Sequence, residues 1–317
     1  MTEQQPPPRW DTRDIPDLEG RIVVITGANS GLGLSSARAL AGHGAAVVMA
    51  CRSPERSAPA LESVRAAATG PEPTLVTLDL ADLDAVADAA AEIRDAVPHV
   101  DVLMNNAGVM ATPLRRTPQG HELQFGTNHL GHFALTGRLL PSLLAAPRPR
   151  VVTTSSLMHR IGTIRWDDLD WRRGYRRWPA YGQTKLANLL FAFELDRRAR
   201  EHRSELRSMA AHPGYASTHL QEAGPRMSGR QLTARVMQLG NRVLAQSADM
   251  GALPQLYAAT APEAVGGAYY GPGGLGEQRG HPARVGSSGA SRRVDDWRRL
   301  WTISEELTGV TYDWPDA

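Results

Sequence analysis

Lysine is nearly absent from this chain: of 35 basic residues in 317, only Lys185 is Lys and the rest are Arg. A phosphate-binding Walker loop requires Lys followed by Ser or Thr, and Lys185 is followed by Leu186, so P-loop nucleotide chemistry is excluded. Any step that needs an amine must use this one residue. Cysteine is equally scarce. Cys51 alone forms no intramolecular disulfide and no multi-cysteine zinc site, which permits a reducing compartment. No run of about 18 apolar residues occurs, and Met1 to Pro8 is polar and Pro-rich without an apolar signal core. The chain is therefore expected to be soluble and cytoplasmic, with no membrane partner. An excess of one charge sign is missing too. Thirty-five basic against 33 acidic groups give +2, which leaves no nucleic-acid footprint. The local exception, Arg160 to Arg177, sets six Arg among Asp167, Asp168 and Asp170 and reads as a solvated insertion.

What is present is alternation. Short apolar runs of strand length, at Arg21–Thr26, Ala46–Cys51, Thr74–Leu80, Val100–Asn105, Arg150–Ser155, Arg207–Ala211 and Ala268–Tyr270, are separated by helical patterns such as Tyr181–Glu201. Continuous Val/Ile/Leu runs between helices belong to strands buried on both faces. The expected fold is α/β: a single doubly wound Rossmann-type domain over 21–317, with a mostly parallel seven-stranded sheet and helices on both faces. Residues 1–20 are expected as a flexible arm, 157–180 as an insertion, 215–250 as a substrate-loop region, and Gly266–Gly289 as a long loop against the core.

Between the first strand and first helix stands Thr26-Gly27-Ala28-Asn29-Ser30-Gly31-Leu32-Gly33. Glycines here let backbone N–H groups approach a pyrophosphate, and the helix N-terminus adds partial positive charge. The spacing is Gly-x3-Gly-x-Gly, and a tight strand-to-helix turn alone would also use it. About twenty residues on, where an NAD-binding fold places an acid on the ribose, the chain has Cys51-Arg52. A guanidinium pairs bidentately with a 2′-phosphate, so NADP(H) is the expected cofactor. Asp79 suits an adenine amino group or, equally, a helix N-cap.

Lys185 lies four residues after Tyr181, one helical turn, so the two side chains share a face. A neighbouring ammonium is expected to lower the phenol pKa and let Tyr181 exchange protons with a substrate oxygen. His129 and His132, at i and i+3, lack a third ligand, and no metal is expected.

With the Thr26–Gly33 turn, Asn105-Asn106-Ala107-Gly108, Ser155-Ser156 and Tyr181 with Lys185 in that order, the chain resembles the short-chain dehydrogenase/reductase superfamily over about residues 20–275. Phrases such as TGANSGLG, NHLGHF (Asn128–Phe133) and KLANL (Lys185–Leu189) are similar to the branch of retinol dehydrogenases, protochlorophyllide reductases, WW-domain-linked oxidoreductases and bacterial ketoreductases, which mostly uses NADP(H). The resemblance implies a catalytic tetrad of Asn128, Ser156, Tyr181 and Lys185. Tyr181 is then the general acid, Ser156 the partner of the substrate carbonyl (Ser155 the alternative), Lys185 the ribose holder, and Asn128 the holder of a relay water. It also implies a cofactor groove of Gly27, Asn29, Ser30, Gly31, Leu32, Gly33, Arg52, Asp79, Leu80, Asn106, Ala107, Gly108, Tyr181, Lys185, Pro213, Gly214 and Thr218. Met110, Met158 and Tyr215 are the candidate substrate contacts and favour an apolar carbonyl or alcohol. Trp166, Trp171, Tyr175 and Trp178 either roof that pocket or pack the insertion. The expected activity is an NADP(H)-dependent ketoreductase or alcohol dehydrogenase. A non-catalytic NADP(H)-binding sensor and Schiff-base chemistry on Lys185 are the readings from other classes. Homodimers or homotetramers through the helices carrying Asn128 and Tyr181 are expected from the resemblance, with a monomer left open.

Overall fold

The computed structural model describes residues 7, 9–215 and 246–315. Eight strands form one sheet among them: β1 Ile22–Thr26, β2 Ala46–Cys51, β3 Thr74–Thr77, β4 Val102–Asn105, β5 Arg150–Thr154, β6 Arg207–Ala211, β7 Tyr269–Pro272 and β8 Pro282–Arg284. Their order is β3-β2-β1-β4-β5-β6-β7-β8, parallel throughout except for β8, which runs antiparallel to β7. The seven expected strands are present. The eighth comes from the Gly-rich stretch expected as a loop, where Tyr270, Gly271 and Pro272 pair with Arg284, Ala283 and Pro282. Proline at a strand end is tolerated because β8 is an edge.

The helices are α1 Gly31–Ala41, α2 Pro54–Arg65, α3 Leu83–Ala96, the short α4 Leu123–Phe125, α5 Gly131–Leu144, α6 Arg177–Glu201, α7 Ala248–Thr260 and α8 Val294–Thr308. Among the described residues none is long and apolar enough to cross a membrane. Helix α6 starts a turn before the expected Tyr181, inside the expected insertion, with Pro179 in its first turn where a missing N–H costs nothing. One apolar layer joins Leu40, Val64, Leu256 and Tyr257 to one face of the sheet. The other joins Val86, Ile93, Phe133, Leu139, Phe191 and Trp301 to the opposite face. Helix α8 and the tail to Tyr312 lie on the outer side of α5 and α6. The Trp301 ring stacks on Phe191 at 5.9 Å, and the Tyr312 hydroxyl donates to the Phe133 carbonyl at 2.8 Å.

The segment before β1 differs from the floppy arm expected. From Trp10 to Gly20 it packs: Trp10, Ile15 and Leu18 are buried, and the Trp10 ring meets Tyr257 edge-on at 5.3 Å. The Trp10 carbonyl accepts from His281 Nδ1 at 3.0 Å, tying this segment to the loop before β8. Removing a buried Trp costs its transfer energy plus that of the cavity left behind. Trp10→Ala is expected to lower unfolding free energy by about 3–5 kcal/mol, read from urea midpoints.

The strand order reverses between β1 and β4, where the chain crosses from building outward in one direction to the other. The crevice outside the C-terminal ends of the strands at such a switch point is where doubly wound sheets bind ligands.

Candidate active site

A cavity of about 760 Å³ opens at that switch point. Its inner end is formed by the β1–α1 turn, with Gly27, Asn29, Ser30, Gly31, Leu32 and Gly33 in the wall. Gly27 has φ +67°, and a Cβ on Gly33 would stand 2.4 Å from the Gly27 carbonyl oxygen, so the helix start approaches the strand closely only with glycine. Ser30, the N-cap of α1, makes no side-chain cap, which leaves the first-turn N–H groups pointing at the cavity without that acceptor. The Thr26 hydroxyl fastens this turn to the next loop by accepting from the backbone N–H groups of Asn106 and Ala107, each at 2.9 Å. Arg52 and Arg56 are exposed and line the same end. Asp79 is the one carboxylate in the described lining, against Arg52, Arg56, Arg177 and Lys185. It caps no helix: Asp82 is the N-cap of α3, and Asp79 Oδ1 accepts from Ala81 N–H. Close-packed glycines, uncapped helical N–H groups and surplus positive charge together fit a dinucleotide polyphosphate.

At the other end the cavity gathers Ser156, Tyr181 and Lys185. Helix α6 carries Tyr181 and Lys185 on its buried face, and β5 ends one residue before Ser155. The Ser156 side chain lies next to the Tyr181 phenol and favours its ionised form. Ser155 turns the other way, its hydroxyl donating to the Lys185 carbonyl at 2.8 Å. His159 braces Ser156 from behind. Its Nδ1–H donates to the Ser156 carbonyl at 2.7 Å, and its Nε2 accepts the Ser288 N–H at 3.2 Å.

The electrostatics differ from the expectation that Lys185 lowers the Tyr181 pKa. Burial pushes the Tyr181 phenol up to about 12, opposed only by the neighbouring Ser156 hydroxyl. Lys185 is itself 4% exposed, and burial lowers its ammonium to about 8. Its Nζ donates to the Thr154 carbonyl at 3.0 Å and stands 5.6 Å from the Tyr181 ring centre. Dehydration of both groups outweighs their mutual attraction, so the phenol holds its proton.

Asn128 stands behind the wall. It lies in a π-helical turn, Gly126–Leu130, between α4 and α5. Its side chain is a brace: Oδ1 accepts from Val109 N–H at 2.7 Å, and Nδ2 donates to the Val109 carbonyl at 2.9 Å and to Thr184 Oγ1 at 3.1 Å. Its carbonyl accepts from His132 Nδ1–H at 3.0 Å, which leaves His132 Nε2 as the acceptor for the Thr26 hydroxyl at 2.9 Å. His132, pushed down to about 4 by burial, thus ties the Gly-rich turn to the π turn. His129 is spent on Ser304 Oγ at 2.8 Å.

Leu80, Asn106, Ala107, Gly108, Pro213 and Gly214 line the cavity, and so do Met110, Met158 and Tyr215. Thr218 and most of the 215–250 region lie outside the described residues. Of the four aromatic residues in the insertion only Trp178 reaches the cavity; Tyr175 hydrogen-bonds the Thr112 carbonyl, Trp171 packs under Arg165, and Trp166 under Arg299. Sequence reasoning missed Thr154, Leu157 and Arg177 as lining residues and left Trp178 open between roofing the pocket and packing the insertion. Only their adjacence to Ser155-Ser156 and Tyr181 could have signalled them.

A family model described as short chain dehydrogenase matches residues 21–228. A short-chain dehydrogenase/reductase of Armillaria gallica is 42% identical over 267 residues, covering 82% of each chain. Human retinol dehydrogenase 13 is 37% identical over 297 residues, 92% of this chain and 86% of that one. The crystal structure of an uncharacterised protein from Mycobacterium paratuberculosis superimposes with a TM-score of 0.79 at 41% identity, covering 96% of this chain and 99% of that one.

Proposed function

Because the chain belongs to the short-chain dehydrogenase/reductase family of oxidoreductases, we propose that it reduces the carbonyl of an apolar substrate, or oxidises the matching secondary alcohol, with NADP(H). The observation that carries this reading is the meeting, in one cavity, of the hydroxyl pair Ser156–Tyr181 and Lys185 with the Gly-rich turn. When bound, the dinucleotide supplies or accepts hydride. The residues of the chain do the rest. Ser156 donates a hydrogen bond to the substrate oxygen and fixes its place beside Tyr181. Tyr181, kept protonated by burial, gives its proton to that oxygen as negative charge develops there. Lys185 holds positive charge below both and offers N–H donors to ribose hydroxyls.

Apolar character is supported by Val109, Met110, Leu157, Met158 and Trp178 in the lining. The relative named for retinol acts on an apolar alcohol, which agrees. The choice of NADP(H) rests on Arg52 and Arg56 beyond the end of β2: an arginine directly follows the strand, and the nearby Glu55 is not among the described lining residues. Arg52→Asp should raise the KM for NADPH roughly tenfold to a hundredfold, the scale of a lost charge-assisted contact, and leave that for NADH nearly unchanged. Equal effects on both cofactors would refute this assignment.

The activity itself is tested by incubating purified protein with NADPH and a panel of steroid, aromatic polyketide, retinal and small aryl carbonyls while following nicotinamide absorbance. Carbonyl-dependent loss of absorbance is expected. Tight NADPH binding without turnover on any of them would favour a sensor.

A further inference from the structure

Beside the Pro213-Gly214 turn lies a buried histidine, hydrogen-bonded to a carboxylate, that the chemistry above does not use. His212 follows β6 directly and is 1% exposed. Its Nδ1 accepts the Gly214 N–H at 3.1 Å. A ring nitrogen that accepts from an N–H carries no proton, so the imidazole proton sits on Nε2, which donates to Glu277 Oε2 at 3.2 Å. The other carboxylate oxygen of Glu277 takes Arg160 at 2.6 Å. Glu277 adopts φ +57°, a left-handed conformation that costs a non-glycine residue about 1 kcal/mol, and it is held there with its carboxylate on these two partners.

The rest of the turn is fastened as tightly. Tyr215 N–H donates to the Gln278 carbonyl at 2.9 Å, and Gln246 Nε2 donates to the Pro213 carbonyl at 2.6 Å. Gly214 has φ +63°, and a Cβ there would stand 2.4 Å from the Gln278 carbonyl oxygen. The bond from His212 to the N–H two residues on has the pattern of an Asx turn, in which an Asn side-chain oxygen accepts the N–H at i+2. Here the imidazole plays that part, and it can do so only in the tautomer that Glu277 selects.

We infer that His212 is a positioning residue: with its tautomer set by Glu277, it holds the Gly214 amide and so aims the Pro213-Gly214 backbone into the reacting end of the cavity. This rests on the reading above that this end takes the nicotinamide. A side chain that merely fills space or pairs with Glu277 would be replaced best by Gln, whose amide stands where Nε2 stands. A side chain that holds Gly214 is replaced best by Asn, whose oxygen stands where Nδ1 stands.

The experiment compares His212→Asn, His212→Gln and Glu277→Leu by steady-state kinetics with NADPH and a carbonyl the wild type reduces. Inhibition by 2′-phospho-ADP-ribose, which lacks the nicotinamide, is measured alongside. His212→Gln and Glu277→Leu are expected to raise the KM for NADPH roughly tenfold, the worth of one buried hydrogen bond to a positioned backbone, while His212→Asn stays within about threefold. The inhibition constant of the fragment should not move in any variant. Gln equal to or better than Asn overturns the positioning role, and so does a parallel loss of fragment affinity. If His212→Gln fails to fold, Glu277→Leu on the partly exposed partner carries the same comparison, and an unchanged KM there overturns the inference. Wild type that does not bind NADPH removes the underlying reading, and the inference with it; wild type that binds NADPH while every variant keeps its KM removes the positioning role alone.

Discussion

Tyr181→Phe is expected to lower turnover by roughly 10²–10⁴-fold, the range supplied by a positioned general acid, with NADPH dissociation unchanged. The change removes one oxygen and leaves the ring where it packs, edge-on to Trp178 at 6.5 Å. No cavity of consequence opens. Since burial sets the phenol at about 12, Tyr181 stays protonated through neutral and mildly alkaline pH. The alkaline fall of carbonyl reduction should therefore follow Lys185, which loses its proton near pH 8. A profile flat to pH 10, or a Tyr181→Phe enzyme with wild-type turnover, would refute these roles; stopped-flow reduction across pH 6–10 checks both.

Lys185→Met is expected to cut turnover by a similar factor and yet make the protein more stable. The fold depresses the ammonium from 10.5 to about 8, so the folded state binds this proton more weakly than the unfolded chain does. The cost is present in full below pH 8, fades as pH rises, and is gone above about 10.5. It amounts to on the order of 3 kcal/mol at neutral pH. Met matches the volume, and the Thr154 carbonyl is not orphaned, because Asn188 Nδ2 also donates to it at 3.0 Å. The gain in unfolding free energy should be largest at pH 6–7 and vanish by pH 11, measured by urea titration at each pH. Lys185→Arg behaves differently. Its guanidinium cannot shed the proton and needs more room than an ammonium, so both turnover and stability should fall. The single Lys among 34 Arg thus marks the one place where a compact cation is wanted.

The sheet was legible in the sequence because β1, β2, β4 and β5 are short runs rich in Val, Ile, Leu and Met, almost wholly buried between helices. Strand β8 was not, since Pro282-Ala283-Arg284 has neither alternation nor length and exists only by pairing with β7. The packing of Trp10 was hidden by its polar, Pro-rich surroundings; its partner Tyr257 is almost 250 positions away. In the site, spacing alone placed Tyr181 beside Lys185, and the Gly-rich turn announced the other end. What spacing could not show is where hydrogen bonds go. Ser156 is told from Ser155 by the Lys185 carbonyl that Ser155 takes, and the Asn128 side chain is engaged on Val109 and Thr184. The direction of the Tyr181 shift was likewise invisible, because it follows from dehydration, and dehydration is a property of the assembled cleft.

The tail that lies on α5 and α6 has a consequence for how the site is supported. Residues Ala180 to Asp196 of α6 are buried, and Leu300, Trp301 and Tyr312 of the same chain cover part of the side away from the sheet. A tethered segment competes at millimolar effective concentration or above against any free visitor to that face. The helix that bears Tyr181 and Lys185 is therefore braced by its own polypeptide on the side away from the sheet.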